Sequence, residues 1–182
     1  MKKNADSEYY IGRYHAPRGG APERMVKQVP VKDELKSIFL NPAYNVPLYK
    51  LVYNNAVISS YHWDWSTLKI QDEVERRMLY EMLYNVPPLF HLDAFEIEKH
   101  LDIIAAHSKV WSAWSKQIIQ SEMTDFSVLS EDGMLQRAVY GPNSICVNFD
   151  SAERTVGEIT LPPLPAMLQA SGETTVYTPL AQ

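Results

Sequence analysis

Ala56-Val57-Ile58-Ser59-Ser60-Tyr61-His62-Trp63-Asp64-Trp65 decides the reading of the fold. Ala56 to Ser60 is short, uncharged and centred on two β-branched residues, the pattern of a buried strand. An amphipathic segment begins near Asp72. Strand, loop and helix make one unit of an α/β fold, in which ligands meet the loops at the carboxyl ends of the strands. Tyr61, His62, Trp63, Asp64 and Trp65 are therefore the candidate binding residues. Indole faces beside a carboxylate and an imidazole suit a sugar, whose ring has one C–H-rich face and an edge of hydroxyls. The plain reading of the same residues is that the tryptophans pack under the loop and Asp64 caps a turn.

Working outward, Val46 to Tyr53 reads as extended, with a break at Asn54-Asn55. Val31 to Leu40 spaces Val31, Leu35, Ile38 and Phe39 as a short helix that ends before Asn41-Pro42. From Asp72, Val74, Met78, Leu79, Met82 and Leu83 form an apolar stripe. Glu73, Glu75, Arg76, Arg77 and Glu81 take the wet side. Asn85 and Pro87-Pro88 stop this helix. Pro88 to Leu92 reads as a second buried strand. Asp93 and Glu96 then resemble a capping box for a long helix to about Ile119, with Ile97, Leu101, Ile104, Trp111 and Ile118 on one face. Residues 56–119 thus repeat strand and helix, as a parallel α/β fold does.

Later the pattern changes. Leu135 to Tyr140, a turn at Gly141-Pro142-Asn143-Ser144, and Ile145 to Phe149 make a β-hairpin. Thr155 to Leu161 adds one strand, and the polar tail from Gln169 is loosely held.

The 182 residues carry a net charge of −5 with acids and bases interspersed. No basic stripe appears, which argues against a nucleic-acid partner. No window reaches the length of a membrane-spanning helix, and the basic start lacks the apolar run of a signal peptide. Cys146 is the only cysteine, so no disulfide forms within the chain. It sits in a strand-like stretch as a small buried hydrophobe. His15, His62, His91, His100 and His107 lack metal-ligand spacing, and neither a metal nor a cofactor is expected. Arg13, Tyr14 and His15 read as part of a solvated loop. Asp64, Glu122 and Asp125 are the carboxylates near the expected sheet end, but nothing in the sequence sets two of them at the separation glycoside hydrolysis needs.

Asn45 to Tyr53, the Tyr61-His62-Trp63 loop, Leu83 to Leu89, Ser121 to Phe126 and Val147-Asn148-Phe149 recur together in a recognisable order. In that order they resemble the later part of the catalytic region of bacterial glycoside hydrolases related to the endo-α-N-acetylgalactosaminidases. The resemblance covers roughly residues 9 to 150. It implies the C-terminal part of a (β/α) barrel over residues 1–120 and the start of a β-sandwich-like domain over 121–182. It also implies a retaining mechanism on α-linked sugars, N-acetylgalactosaminides among them, with a glycan or oligosaccharide as partner. The family's catalytic carboxylates lie earlier in the barrel, so no catalytic residue is carried over. Where the family has a histidine–acid pair, this chain has Asn54-Asn55. What remains is the 61–65 loop as a wall of the sugar site. Two or three units cannot close a barrel. The chain is then a fragment, a reduced non-catalytic binding or interaction module, or one that self-associates through its open sheet edge. Localisation stays open.

Overall fold

A computed structural model describes residues 28, 31, 33–60, 66–70, 72–92, 94–157 and 159–180. Among these, four α-helices precede an antiparallel sheet. They are α1 (Asp33–Phe39), α2 (Leu48–Tyr53), α3 (Val74–Leu83) and α4 (Ala94–Ile118). The strands are β1 (Met123–Val128), β2 (Leu135–Tyr140), β3 (Asn143–Asn148), β4 (Arg154–Val156), β5 (Ile159–Leu161), β6 (Ala166–Ala170) and β7 (Glu173–Tyr177). Five of them form one sheet in the order β1-β2-β3-β6-β7, and β4 pairs with β5 separately.

The hairpin expected at 135–149 is present as β2 and β3, with Tyr140 opposite Asn143 across the turn. Its alternation builds two cores. Ala138, Tyr140, Ile145, Val147, Ala166 and Leu168 face Leu79, Met82 and Leu83 of α3 and Trp114 and Ile118 of α4. On the other face Leu135 and Cys146 pack with Leu161 from the small hairpin. Cys146 is buried as expected, and burial pushes its thiol up to about 11.

The two remaining hairpins correct the sequence reading. Thr155 to Leu161 is not one strand but two, turned at Gly157, where φ is +59°. The tail is not loose: β6 and β7 pair across Ser171 and Gly172, both at positive φ. A two-residue turn with both φ positive is the favoured connection for a twisted hairpin.

The strand–helix–strand–helix repeat is not formed among the described residues. Residues 57–60 are irregular, with Val57 43% and Ile58 67% exposed. β-branched residues favour a strand when a pleated neighbour packs against them, and 57–60 pairs with none among the described residues. Val46 to Tyr53 is helical from Leu48 rather than extended. Pro47 suits the start of a helix, where its missing N–H costs nothing. Residues 86–92 form no strand either. Pro87 and Pro88 offer no ladder donors.

Both long helices are present, with Met78, Leu79, Met82 and Leu83 buried as expected, but the expected wet side of α3 is buried in part, and α4 buries only part of its expected face. Every residue from Arg77 to Leu83 is buried, so Arg77 and Glu81 lie inside, and Glu73 is buried just before the helix. On α4, Ile97 and Leu101 are exposed, while His107, Trp114 and Ile118 are buried. The last carbonyls of α3 have no helical partner. Side chains from two other elements fill the gap. Trp111 Nε1 donates to Glu81 O (3.3 Å), Trp114 Nε1 to Met82 O (3.0 Å) and the Tyr140 hydroxyl to Leu83 O (2.7 Å). This joins α3, α4 and the sheet into one core.

Candidate functional site

Tyr61, His62, Trp63, Asp64 and Trp65 lie outside the described residues, as do Arg13, Tyr14 and His15. The segment just after residue 65 is held tightly. Ser66, Thr67, Leu68, Lys69 and Ile70 are all buried. The Thr67 N–H donates to Leu89 O (2.8 Å), and the Leu89 N–H donates to Thr67 Oγ1 (3.1 Å). The Thr67 hydroxyl donates to Glu81 Oε1 at 2.5 Å. Backbone and side chain of one residue thus fix the chain where it leaves the 61–65 stretch.

Glu81 continues this chain inward. Its Oε2 lies 2.6 Å from His107 Nε2, with Glu81 0% and His107 1% exposed. A carboxylate accepts, so the ring N–H donates. In the neutral ring that leaves Nδ1 as an acceptor for the Tyr177 hydroxyl, 2.7 Å away. Burial, reinforced by the charge of Glu81, raises the Tyr177 phenol well above its ordinary value. A phenol held protonated serves as a hydrogen-bonding group rather than a nucleophile. His107 and Tyr177 form the polar end of a cavity of about 410 Å³ between α4 and β7.

A second buried polar group sits at Asn54, where the resemblance places a histidine–acid pair. Asn54 Nδ2 donates to Ile118 O (3.2 Å) and Ser121 O (2.8 Å), and its Oδ1 accepts from Asn85 Nδ2 (3.3 Å). It ties the end of α2 to the end of α4, a positioning role that an acid could not fill with the same donors. Lys50 Nζ donates to Asn85 O at 2.9 Å, and burial lowers its amine to about 8.

The Lys50 shift has a consequence in pH. Below about 8 the amine is charged in both states, and its burial penalty is fully present. Between about 8 and 10.5 the unfolded chain holds more protons at this site than the native one, so the Lys50 contribution to stability rises with pH across that window. Above about 9 the raised Cys146 thiol and the buried tyrosines act in the opposite sense, so urea unfolding from pH 7 to 9 should show the rise, and Lys50→Met should flatten it. A profile unchanged in the variant would mean that Lys50 is not the group responsible.

The remaining sequence candidates are not brought together. Glu122 and Asp125 are exposed, and Asp125 accepts from Ser127 Oγ (2.8 Å) on the edge strand β1. His91 is half-buried in the irregular 86–92 segment, and His100 Nε2 lies 3.0 Å from Glu96 Oε2. Glu81, His107 and Thr67 are the residues that sequence reasoning missed. The signal for His107 was its place in the run Ile103, His107, Val110, Trp114 and Ile118, whose steps of three and four mark a buried helical stripe.

Comparison with known proteins supplies a class. Residues 1–139 match the model of a glycoside hydrolase family. The chain belongs to that family, the glycosyl hydrolases related to the GH101 family, GH129. The match includes all four helices and β1, and ends within β2. No curated protein matches the chain.

Proposed function

We propose that the chain supplies part of the substrate-site wall of a glycoside hydrolase acting on α-linked sugars, N-acetylgalactosaminides among them, and does not itself carry the catalytic carboxylates. The family match over residues 1–139 carries the reading. In it, Trp63 and Trp65 stack on the sugar's C–H face, and Asp64 and His62 bond its hydroxyls, beside Tyr61. The buried clasp at Thr67 supports the assignment, because a binding loop discriminates only when a rigid scaffold holds it. The chain would belong to the later part of a (β/α) barrel. Tyr44, Val46, Leu48, Tyr49, Val52, Tyr53, Val57 and Ile58 are all exposed, and an apolar surface of that kind is one that a partner covers.

The test is binding and turnover with the same protein. Saturable binding of N-acetylgalactosamine by the purified chain, lost in Trp63→Ala or Trp65→Ala, is expected. No hydrolysis of 4-nitrophenyl α-N-acetylgalactosaminide is expected. Turnover abolished by Asp64→Asn would overturn the non-catalytic part of the reading. Binding that survives both tryptophan variants would overturn the wall.

A further inference from the structure

The cavity between α4 and β7 is separate from the 61–65 loop in sequence and differs from a sugar site in chemistry. Met78, Ile103, Ala106, Val110, Val176 and Leu180 give it apolar walls, and its polar groups gather around His107 and Tyr177. At about 410 Å³ it falls within the range of small-molecule sites, which are mostly apolar with a few placed polar groups. A sugar, hydroxylated all round its ring, would leave most of its hydroxyls unpaired against these walls.

The polar end is built rather than incidental. His107 is 1% exposed and fixed from behind by Glu81, which is itself held by Thr67. That chain places the Tyr177 hydroxyl 2.7 Å from His107 Nδ1, which accepts from it in the neutral ring, with Met78 Sδ as a second, weak acceptor at 3.8 Å. The phenol oxygen has two lone pairs and keeps at least one for a donor that enters the cavity, since His107 is its one strong partner there. Glu81 already accepts from Thr67 and His107, and no carboxylate, lysine or arginine lines the cavity, so a charged ligand would make no direct ion pair with a fixed charge there among the described residues.

We infer that this cavity is a binding site for a small neutral molecule with an apolar ring or branched chain and one hydroxyl, the hydroxyl donating to Tyr177. The site does not depend on the sugar-wall reading, since it uses α3, α4 and β7 and none of the loop residues.

Methionine-methyl NMR tests it, because the Met78 side chain lies beside the Tyr177 hydroxyl. The probes are 4-methylphenol and toluene, which differ only in a hydroxyl. Both should shift the Met78 methyl signal saturably, with 4-methylphenol bound about threefold to tenfold more tightly, the span of one net hydrogen bond. Tyr177→Phe should remove the difference while toluene still binds. Ala106→Phe, which fills the cavity, should abolish both. Three results would overturn the inference: no saturable shift at Met78 in the unmutated protein, equal affinities for the two probes there, or shifts that persist in Ala106→Phe. The two-probe comparison needs no variant to fold.

Discussion

Glu81→Ala is expected to lower the unfolding free energy by about 2–6 kcal/mol, from two buried groups each left without a partner at about 1–3 kcal/mol. The variant strands more than the carboxylate's own contacts. His107, 1% exposed, keeps a ring N–H with no acceptor, and the Thr67 hydroxyl loses its partner at 2.5 Å. Each orphaned group carries a desolvation penalty that the paired state avoids. Glu81→Gln keeps the volume and one acceptor, so about 1–2 kcal/mol is expected. Urea unfolding at fixed pH measures both. Amide exchange at Leu89 gives a local readout, because its N–H donates to the same Thr67 hydroxyl oxygen. Faster exchange there in Glu81→Ala would show that the clasp at Thr67 depends on Glu81. A loss under about 1 kcal/mol would mean that this network is not what orders the interior.

Glu81 also shows where the sequence was legible and where it was not. The helix around it was plain from Met78, Leu79, Met82 and Leu83, and the hairpin from Leu135 to Phe149 was plain from its alternation and its Gly-Pro turn. Those signals are local: periodicity and turn chemistry sit within a few residues. The assignment of Glu81 to solvent rested on charge alone. It failed because α3 is enclosed all round in its second half, and the partner that permits this, His107, lies 26 residues away. The misplaced strands have the same origin. Val57 and Ile58 carry strand propensity, but a strand needs a neighbour, and propensity cannot show that one is missing. The tail was misjudged for a different reason. Ser171-Gly172 between Ala166–Ala170 and the β-branched Thr174-Thr175-Val176 is a readable hairpin signal that polarity obscured. Of the candidate residues, Tyr61 to Trp65 lie outside the described residues, and the clasp at Thr67 went unnamed because Thr67 looks like any loop threonine until Leu89 and Glu81 are set beside it.

Trp114→Ala should cost about 3–5 kcal/mol, the range for removing a large buried aromatic. Trp114 is 2% exposed and meets Tyr140 edge-on, with ring centroids 6.2 Å apart and planes at 82°. It also takes the Met82 carbonyl at 3.0 Å, while Tyr140 takes the Leu83 carbonyl at 2.7 Å. One aromatic pair therefore fills the space between helices and sheet and closes the end of α3. Trp114→Phe separates the two roles. It keeps a ring in the core and loses the N–H, so Met82 O is left buried without its side-chain donor, at about 1–3 kcal/mol. If packing dominates, the alanine variant loses well over the phenylalanine variant. If the cap dominates, the two losses converge. The geometry favours the first outcome, because Trp114 touches a core drawn from α3, α4 and the sheet, whereas the cap is one bond among several on the same helix end. Urea unfolding of the two variants beside the parent decides it, provided that the slope against denaturant stays constant. Equal losses would place the stability of this junction in its hydrogen bonds rather than in its packing.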